Sequence, residues 1–465
     1  MVFSSPTFFV FFAVYFLIHL ITPRAARIFL IIVGSTIFYA WWKVEYVWLP
    51  FFLTAIAYSG VLWIESTHDL LRRKRRLTIA IVLLFAPLVF FKYTDFIYRD
   101  VIGPILGFDT KILDVPLPLG VSFVTFTLTA YVVDVYRGKF GASRSFTTTL
   151  GYVLFFPHLI AGPILRPVEL IPQLEHPRPV LAARFAAGIT IFTIGLVKKV
   201  VFADQIALVV DAAYSGAGMP SGPAALLAIY GFSMQIYCDF SGYTDMAIGL
   251  ALLIGIRLPN NFLRPYAAAS LVDFWRQWHI TLSFWLRDYL YIPLGGNRAG
   301  RLRTYFNILV TMVLGGLWHG ASWTFVLWGF LHGLGISMVH LSRNLVGKGR
   351  ALELPGWLGI LITFHFVTIL WVFFRASDLR KAGQMLTAPF VGDWSNAASY
   401  FDSNLASLML LAIFFTLHPY DDHRRMRLAI RRVRPELVWP LVALLWILAL
   451  TIGQGGSAKF IYFDF

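Results

Sequence analysis

Imidazole is the side chain whose ordinary pKa best suits proton transfer near neutral pH, and burying it among apolar groups is costly unless it has a partner or a task. Residues 315–333 read GGLWHGASWTFVLWGFLHG and hold two such rings, His319 and His332, each followed by glycine. His319 stands between Trp318 and Gly320, where small neighbours let a substrate approach closely, so it is a candidate general base. The competing reading is a helix-to-helix hydrogen bonder. For His332 structural support is the preferred role.

A third histidine lies in residues 273–290, DFWRQWHITLSFWLRDYL. At 100° per residue, Arg276, His279, Ser283 and Arg287 share one face with Asp273 at its edge, and Phe274, Trp278, Leu282, Trp285 and Tyr289 share the other. Two guanidinium groups beside a histidine suit a phosphorylated substrate held next to a proton-transfer group. The same pattern describes an interfacial helix lying flat on a membrane, and both readings can hold together.

Residues 237–249, YCDFSGYTDMAIG, place Asp239 and Asp245 in what reads as a break within an apolar run, with Ser241, Tyr243 and Thr244 nearby. Such carboxylates serve an ion or proton site, or they cap and fasten a broken helix; fastening is preferred. Asp239 is nevertheless kept among the candidate donor-binding residues with Arg276, Arg287, Ser283 and Trp318. The stretch FPHLIAGP at 156–163 reads as a re-entrant or kinked element in which His158 is structural. No GxSxG elbow, Walker A loop or HExxH motif occurs, and the one cysteine, Cys238, excludes an intramolecular disulfide and a four-cysteine zinc site. No metal site is expected.

The elements that must position these residues belong to a membrane protein. The chain has 465 residues, is 58% hydrophobic with mean hydropathy +0.70, and repeats apolar runs of spanning length. Its net charge of +15 lies in short clusters between those runs, which matches topology signals and anionic headgroups rather than nucleic acid. The first run, Pro6 to Ile21, has no basic residue before it and no convincing cleavage site after it, so a retained helix is expected rather than a signal peptide. The connection 23–27 (PRAAR) lies on the same side as the basic run 72–76 (RRKRR). The positive-inside rule places both in the cytoplasm and the N-terminus outside. The cluster Arg424, Arg425, Arg427, Arg431, Arg432, Arg434 marks a second cytoplasmic loop and leaves residues 453–465 outside.

The expected fold is therefore all-α: one polytopic membrane domain over 1–465, of ~10–12 spans, with re-entrant and interfacial amphipathic helices. The run 305–341 is flanked by Arg298, Arg301 and Arg303 before it and Arg343, Lys348 and Arg350 after it, so both ends are expected in the cytoplasm. As one helix it would be ~54 Å long, about twice the hydrocarbon core, and it reads as two passes turning near Gly315-Gly316 and Gly320, with His319 at the turn.

An ordered series of stretches resembles the membrane-bound O-acyltransferase family, and within it the bacterial alginate O-acetylation branch. They are LPLGVSF at 117–123, DVYRG at 134–138, FFPHLIAGPI at 155–164, GLVKKVVFAD at 195–204, QIYCDFSGYTDMAIG at 235–249, LPNNFLRPY at 258–266, and the segments 273–300 and 314–333 that carry the histidines. The match runs from about 89 to 335; FIYFDF at 460–465 is also similar, whereas 340–455 adds little. Val124 and Thr127 stand where many relatives have Tyr and Gln, which concerns the local shape of that helix.

The resemblance implies that His319 is the family's catalytic histidine and that His279 fills the second position, often asparagine in lipid-modifying relatives. It implies an acyl thioester donor, acetyl-CoA, entering from the cytoplasm of a bacterial inner membrane, and an acetyl group delivered to an extracytoplasmic SGNH-type partner or polysaccharide. Rival expectations are D-alanyl transfer to teichoic acid, peptidoglycan acetylation, or an ion- or proton-coupled transporter built on Asp239, Asp245 and the histidines.

Overall fold

A computed structural model describes all residues except 109, 114, 180, 181, 346–354, 423–434, 454–460 and 462–465. Lys348, Arg350, the arginine cluster at 424–434 and most of 460–465 therefore lie outside the described residues. Every regular element among those described is a helix, and no strand occurs.

Among the described residues, five helices are long and apolar enough to cross a membrane: Val44–Glu65, Leu70–Tyr93, Ala182–Ser215, Trp323–Ser342 and Gly356–Arg375. Ala397–Ser403 and Leu405–Tyr420, bent by 72°, form a sixth if counted together, and Pro6–Ile21, Val121–Tyr136 and Trp439–Ile452 are apolar but shorter. The expected 10–12 spans exceed this number because several apolar runs fold as short pieces. Examples are Phe146–Leu154, Phe156–Leu159, Leu271–Trp275 and Ile280–Leu286.

The chain forms two compact units, one of Met1–Phe192 with Tyr243–Pro259 and the other of Thr193–Gly242 with Asn260–Phe465. In the first, Val121–Tyr136 is buried along all but its last residue, which explains its lack of a polar face. Around Phe156 pack Phe8, Phe11, Tyr15 and Phe38, with ring centroids 5.4–6.4 Å away. A Cβ at Gly249 would lie 2.6 Å from the carbonyl oxygen of Gly188, so these two helices meet backbone to backbone through glycine. His158 sits in the one-turn helix Phe156–Leu159, with Pro157 in its first turn, and its Nε2 lies 2.8 Å from the Tyr152 carbonyl oxygen. That is the kinked element and the structural role expected of it.

The second unit carries the hairpin. Arg301–His319 and Trp323–Leu345 are separate helices joined at 320–322. The turn is narrower than expected: Gly315 and Gly316 remain helical, and their smallness serves packing instead. A Cβ at Gly316 would strike the carbonyl oxygen of Phe325, one at Gly329 that of Met312, and one at Gly333 would lie 3.1 Å from the Leu309 Cα. Helices in lipid gain close contact where small residues repeat on the facing side.

Two expectations are corrected. The stretch 237–249 is not a break, because Gly222–Leu253 is one continuous helix of 32 residues; Gly242 and Gly249 are helical and sit where a neighbour comes close, a Cβ at Gly242 lying 2.7 Å from the Gly195 carbonyl oxygen. Residues 273–290 are not one amphipathic helix. They fold as Leu271–Trp275, a turn, Ile280–Leu286 and a wider-wound segment Arg287–Tyr291.

Candidate active site

The break in that last segment falls on His279. Its backbone has φ 41° and ψ 56°, left-handed values shared among non-glycine described residues only by Arg264. Such a conformation costs on the order of 1–3 kcal/mol and persists only where the surroundings hold it. Here the loop at 260–263 does so. The Ile280 N–H donates to the Asn261 carbonyl oxygen at 2.9 Å and the Leu263 N–H to that of Gln277 at 2.9 Å. The Asn261 side-chain oxygen accepts from the Thr281 N–H at 3.1 Å and the Thr281 hydroxyl at 2.9 Å, and it lies 3.2 Å from His279 Nδ1.

That oxygen is fixed as an acceptor by the Thr281 backbone donor, so His279 Nδ1 is the donor in their contact and Nε2 carries the ring's lone pair. Burial pushes the His279 pKa from 6.5 down to about 3, keeping the ring neutral at physiological pH.

His319 is mounted differently, as the last residue of the regular helix Arg301–His319. Its ring is boxed by Trp318 at 5.0 Å, Trp328 at 5.2 Å and Phe374 at 5.2 Å between centroids, and it is buried. A Cβ at Gly320 would collide with the Phe325 ring, so the turn passes there only with glycine.

Trp318 joins the two histidines: its centroid is 6.2 Å from the His279 ring and 5.0 Å from that of His319. Of the residues singled out in the sequence, His279, Trp318 and His319 therefore lie together. His332 fits its expected support role, since its Nδ1 lies 3.3 Å from the Trp275 indole nitrogen and its ring packs 4.6 Å from Trp328.

The arginines go elsewhere. Arg276, Ser283 and Arg287 line a cavity of about 480 Å³ with Trp275, Asn297 and His340, and His279 and His319 are not among its lining residues. Both guanidinium groups are more than half exposed, Arg276 pairing with Asp273 at 3.2 Å and Arg287 with Asp288 at 2.7 Å. The face that periodicity gave to Arg276, His279, Ser283 and Arg287 together is thus split by the turn. The polar three stay at an open cavity, and the histidine turns inward.

Asp239 is engaged in fastening. Its carboxylate lies 2.7 Å from the Lys199 ammonium, which also reaches Asp204 at 2.7 Å, and it accepts from the Ile461 N–H at 2.7 Å. The next residue, Phe240, packs perpendicular to the His279 ring at 4.7 Å. No three His, Cys, Asp or Glu side chains gather as metal ligands among the described residues.

Sequence reasoning passed over Asn261, Trp328 and Phe374. Asn261 lay in a quoted motif, LPNNFLRPY, but its role depends on a contact across 18 residues. Phe374 lies where the sequence carried no specific signal.

Comparison with known proteins identifies the family. Residues 27–377 match the membrane-bound O-acyltransferase family. The chain is 38% identical over 428 residues to a probable alginate O-acetylase AlgI of Azotobacter vinelandii, covering 90% of this chain and 85% of that one. It is 38% identical over 421 residues to a peptidoglycan O-acetyltransferase of Helicobacter pylori, covering 83% and 79%. Against a teichoic acid D-alanyltransferase of Bacillus subtilis it is 29% identical over 269 residues, covering 54% and 66%. The protein is a multi-pass membrane acyltransferase, and it belongs to the membrane-bound O-acyltransferase family.

Proposed function

We propose that this enzyme takes an acetyl group from a cytoplasmic thioester, acetyl-CoA, and passes it across a bacterial inner membrane for O-acetylation of an exopolysaccharide such as alginate. An extracytoplasmic SGNH-type protein or the polysaccharide itself receives the group. The observation that carries this reading is the pair of buried histidines packed on Trp318, one at a helix end and the other held in a strained turn.

His319 removes the proton from the acceptor hydroxyl as its oxygen attacks the thioester carbonyl. When the tetrahedral intermediate collapses, the C–S bond breaks and the thiolate takes the proton back from the imidazolium. His279 orients the acceptor: a neutral ring whose Nδ1 donates to Asn261 offers Nε2 to accept the hydroxyl's hydrogen bond. Arg276 and Arg287, at the open cavity, bind the donor's phosphates, with Ser283 beside them. Trp318 shapes the floor between the histidines, and Asp239 anchors the helix that brings Phe240 against His279. The basic run 72–76 lies in the cytoplasm, with the N- and C-termini outside.

The equal 38% identity to the peptidoglycan O-acetyltransferase favours a second reading in which the acceptor is a peptidoglycan sugar. The test is a donor and acceptor panel with the purified protein in lipid. Acetyl-CoA should be consumed and a carrier-protein D-alanyl thioester should not, and deleting the gene should remove ester-linked acetate from exopolysaccharide. Loss of acetate from muramic acid instead would establish the second reading. Ion flux without any acyl donor would contradict both.

A further inference from the structure

The open cavity of Arg276 and Arg287 does not reach His319, yet one helix connects the two. Ile308, Thr311 and Met312 stand in the cavity wall, and His319 ends the same helix, Arg301–His319. Thr311, Gly315 and His319 follow one another at intervals of four residues and so share one face, ~12 Å from first to last at 1.5 Å per residue. Gly315 leaves that face bare halfway along.

The opposite wall is the short helix Ile280–Leu286, which begins directly after His279. Its last residue, Leu286, is buried and also lines the cavity. A Cβ on Gly315 would lie 3.2 Å from Leu286 Cδ1, and outside its own helix the only other described atom within 4 Å would be the second Leu286 methyl. Gly316 differs, since a Cβ there would strike the Phe325 carbonyl oxygen. At Gly315 it is therefore one side chain, which can change rotamer without moving a helix, that stands between the cavity and the next turn. That turn carries Trp318 and His319, with the His279 ring 6.2 Å from Trp318 between centroids.

We propose that the groove between Gly315 and Leu286 holds the pantetheine arm of the thioester donor, with the Leu286 side chain swinging aside to admit it. This rests on the reading of Arg276 and Arg287 as phosphate contacts and of His319 as the base. A passage edged by a glycine and leucine methyls suits a slender, uncharged chain and excludes a nucleotide. The phosphates then stay at the arginines while the thioester carbonyl reaches His319.

Acetyl-CoA turnover and CoA binding by the purified protein in lipid test this with Gly315→Ala, whose methyl narrows the groove and meets only the movable end of Leu286. The variant should bind CoA with wild-type affinity, keep the wild-type unfolding midpoint and lose kcat by about 10²-fold. Adding Leu286→Ala clears the opposite side and should restore most of that loss, which a purely structural defect at Gly315 would not show. Wild-type kcat in Gly315→Ala, a loss of CoA affinity in step with kcat, or a folded double variant as slow as the single would each overturn the path and leave the reading of the site intact. A wild type that binds CoA but consumes no acetyl-CoA would overturn that reading and the path with it. Because Gly315→Ala meets no backbone outside its helix, it keeps the test decisive even if the double variant fails to fold.

Discussion

The two histidines are held by opposite means. His319 ends a regular 19-residue helix whose partner closes on it through glycines, and the geometry is written into local spacing. His279 sits on a left-handed turn that its own sequence, RQWHITL, gives no glycine or proline to make. A loop 18 residues upstream imposes the turn through Asn261. The difference teaches that the same side chain can be placed by a secondary-structure rule or by a tertiary clamp, and that the two placements should fail in different ways.

The largest expected effect breaks the chemistry without touching either mounting. His319→Ala should lower acetyl transfer by about 10²–10⁴-fold while leaving thermal stability within the range of a benign substitution. Next, the hairpin should fail by unfolding: Gly329→Val forces a branched side chain against the Met312 carbonyl oxygen and should destabilise by about 1–3 kcal/mol or more, read as a lower unfolding midpoint. The clamp should fail by misplacement. Asn261→Ala removes the acceptor shared by Thr281 and His279, so activity should fall about tenfold or more with a smaller loss of stability, about 1 kcal/mol. Equal losses of activity and stability would merge the two cases.

Sequence periodicity could see the first mounting and not the second. Glycine at 315, 316 and 320 within a run too long for one pass announced two helices, even though the turn itself lies at 320–322. At 273–290 the apolar and polar faces alternate so cleanly that a single helix was the natural expectation, yet backbone hydrogen bonds to Asn261 and from Leu263 outweigh that local preference. The same limit applies to Asp239: its residue type allowed an ion site or a fastening role, and only the positions of Lys199 and Ile461 show what it touches. In 237–249, Asp239 and Asp245 with Ser241, Tyr243 and Thr244 inside an apolar run read as a break. In the fold the helix is unbroken, and Gly242 and Gly249 are close-contact points along it.

Two smaller effects sharpen the comparison. Arg276→Ala and Arg287→Ala, at the cavity that excludes the histidines, should each raise KM for the donor about tenfold with little change in kcat, and the difference should shrink at high salt. For pH the sign follows from burial. The His279 pKa falls from 6.5 to about 3 on folding, so between those values the unfolded chain binds the extra proton. Stability present above pH 6.5 is therefore lost as pH falls toward 3. His279→Asn, which tolerates left-handed φ, should flatten that part of the stability profile, measured as unfolding midpoint against pH.

The central claim is that His319 takes the acceptor's proton in a site that His279 orients. The most direct test is turnover of labelled acetyl-CoA by purified protein in lipid, with the extracytoplasmic acceptor present, comparing wild type and His319→Ala at matched folding. The wild type should transfer label, and the variant should lose at least about 10²-fold. Undiminished transfer by folded His319→Ala would contradict it.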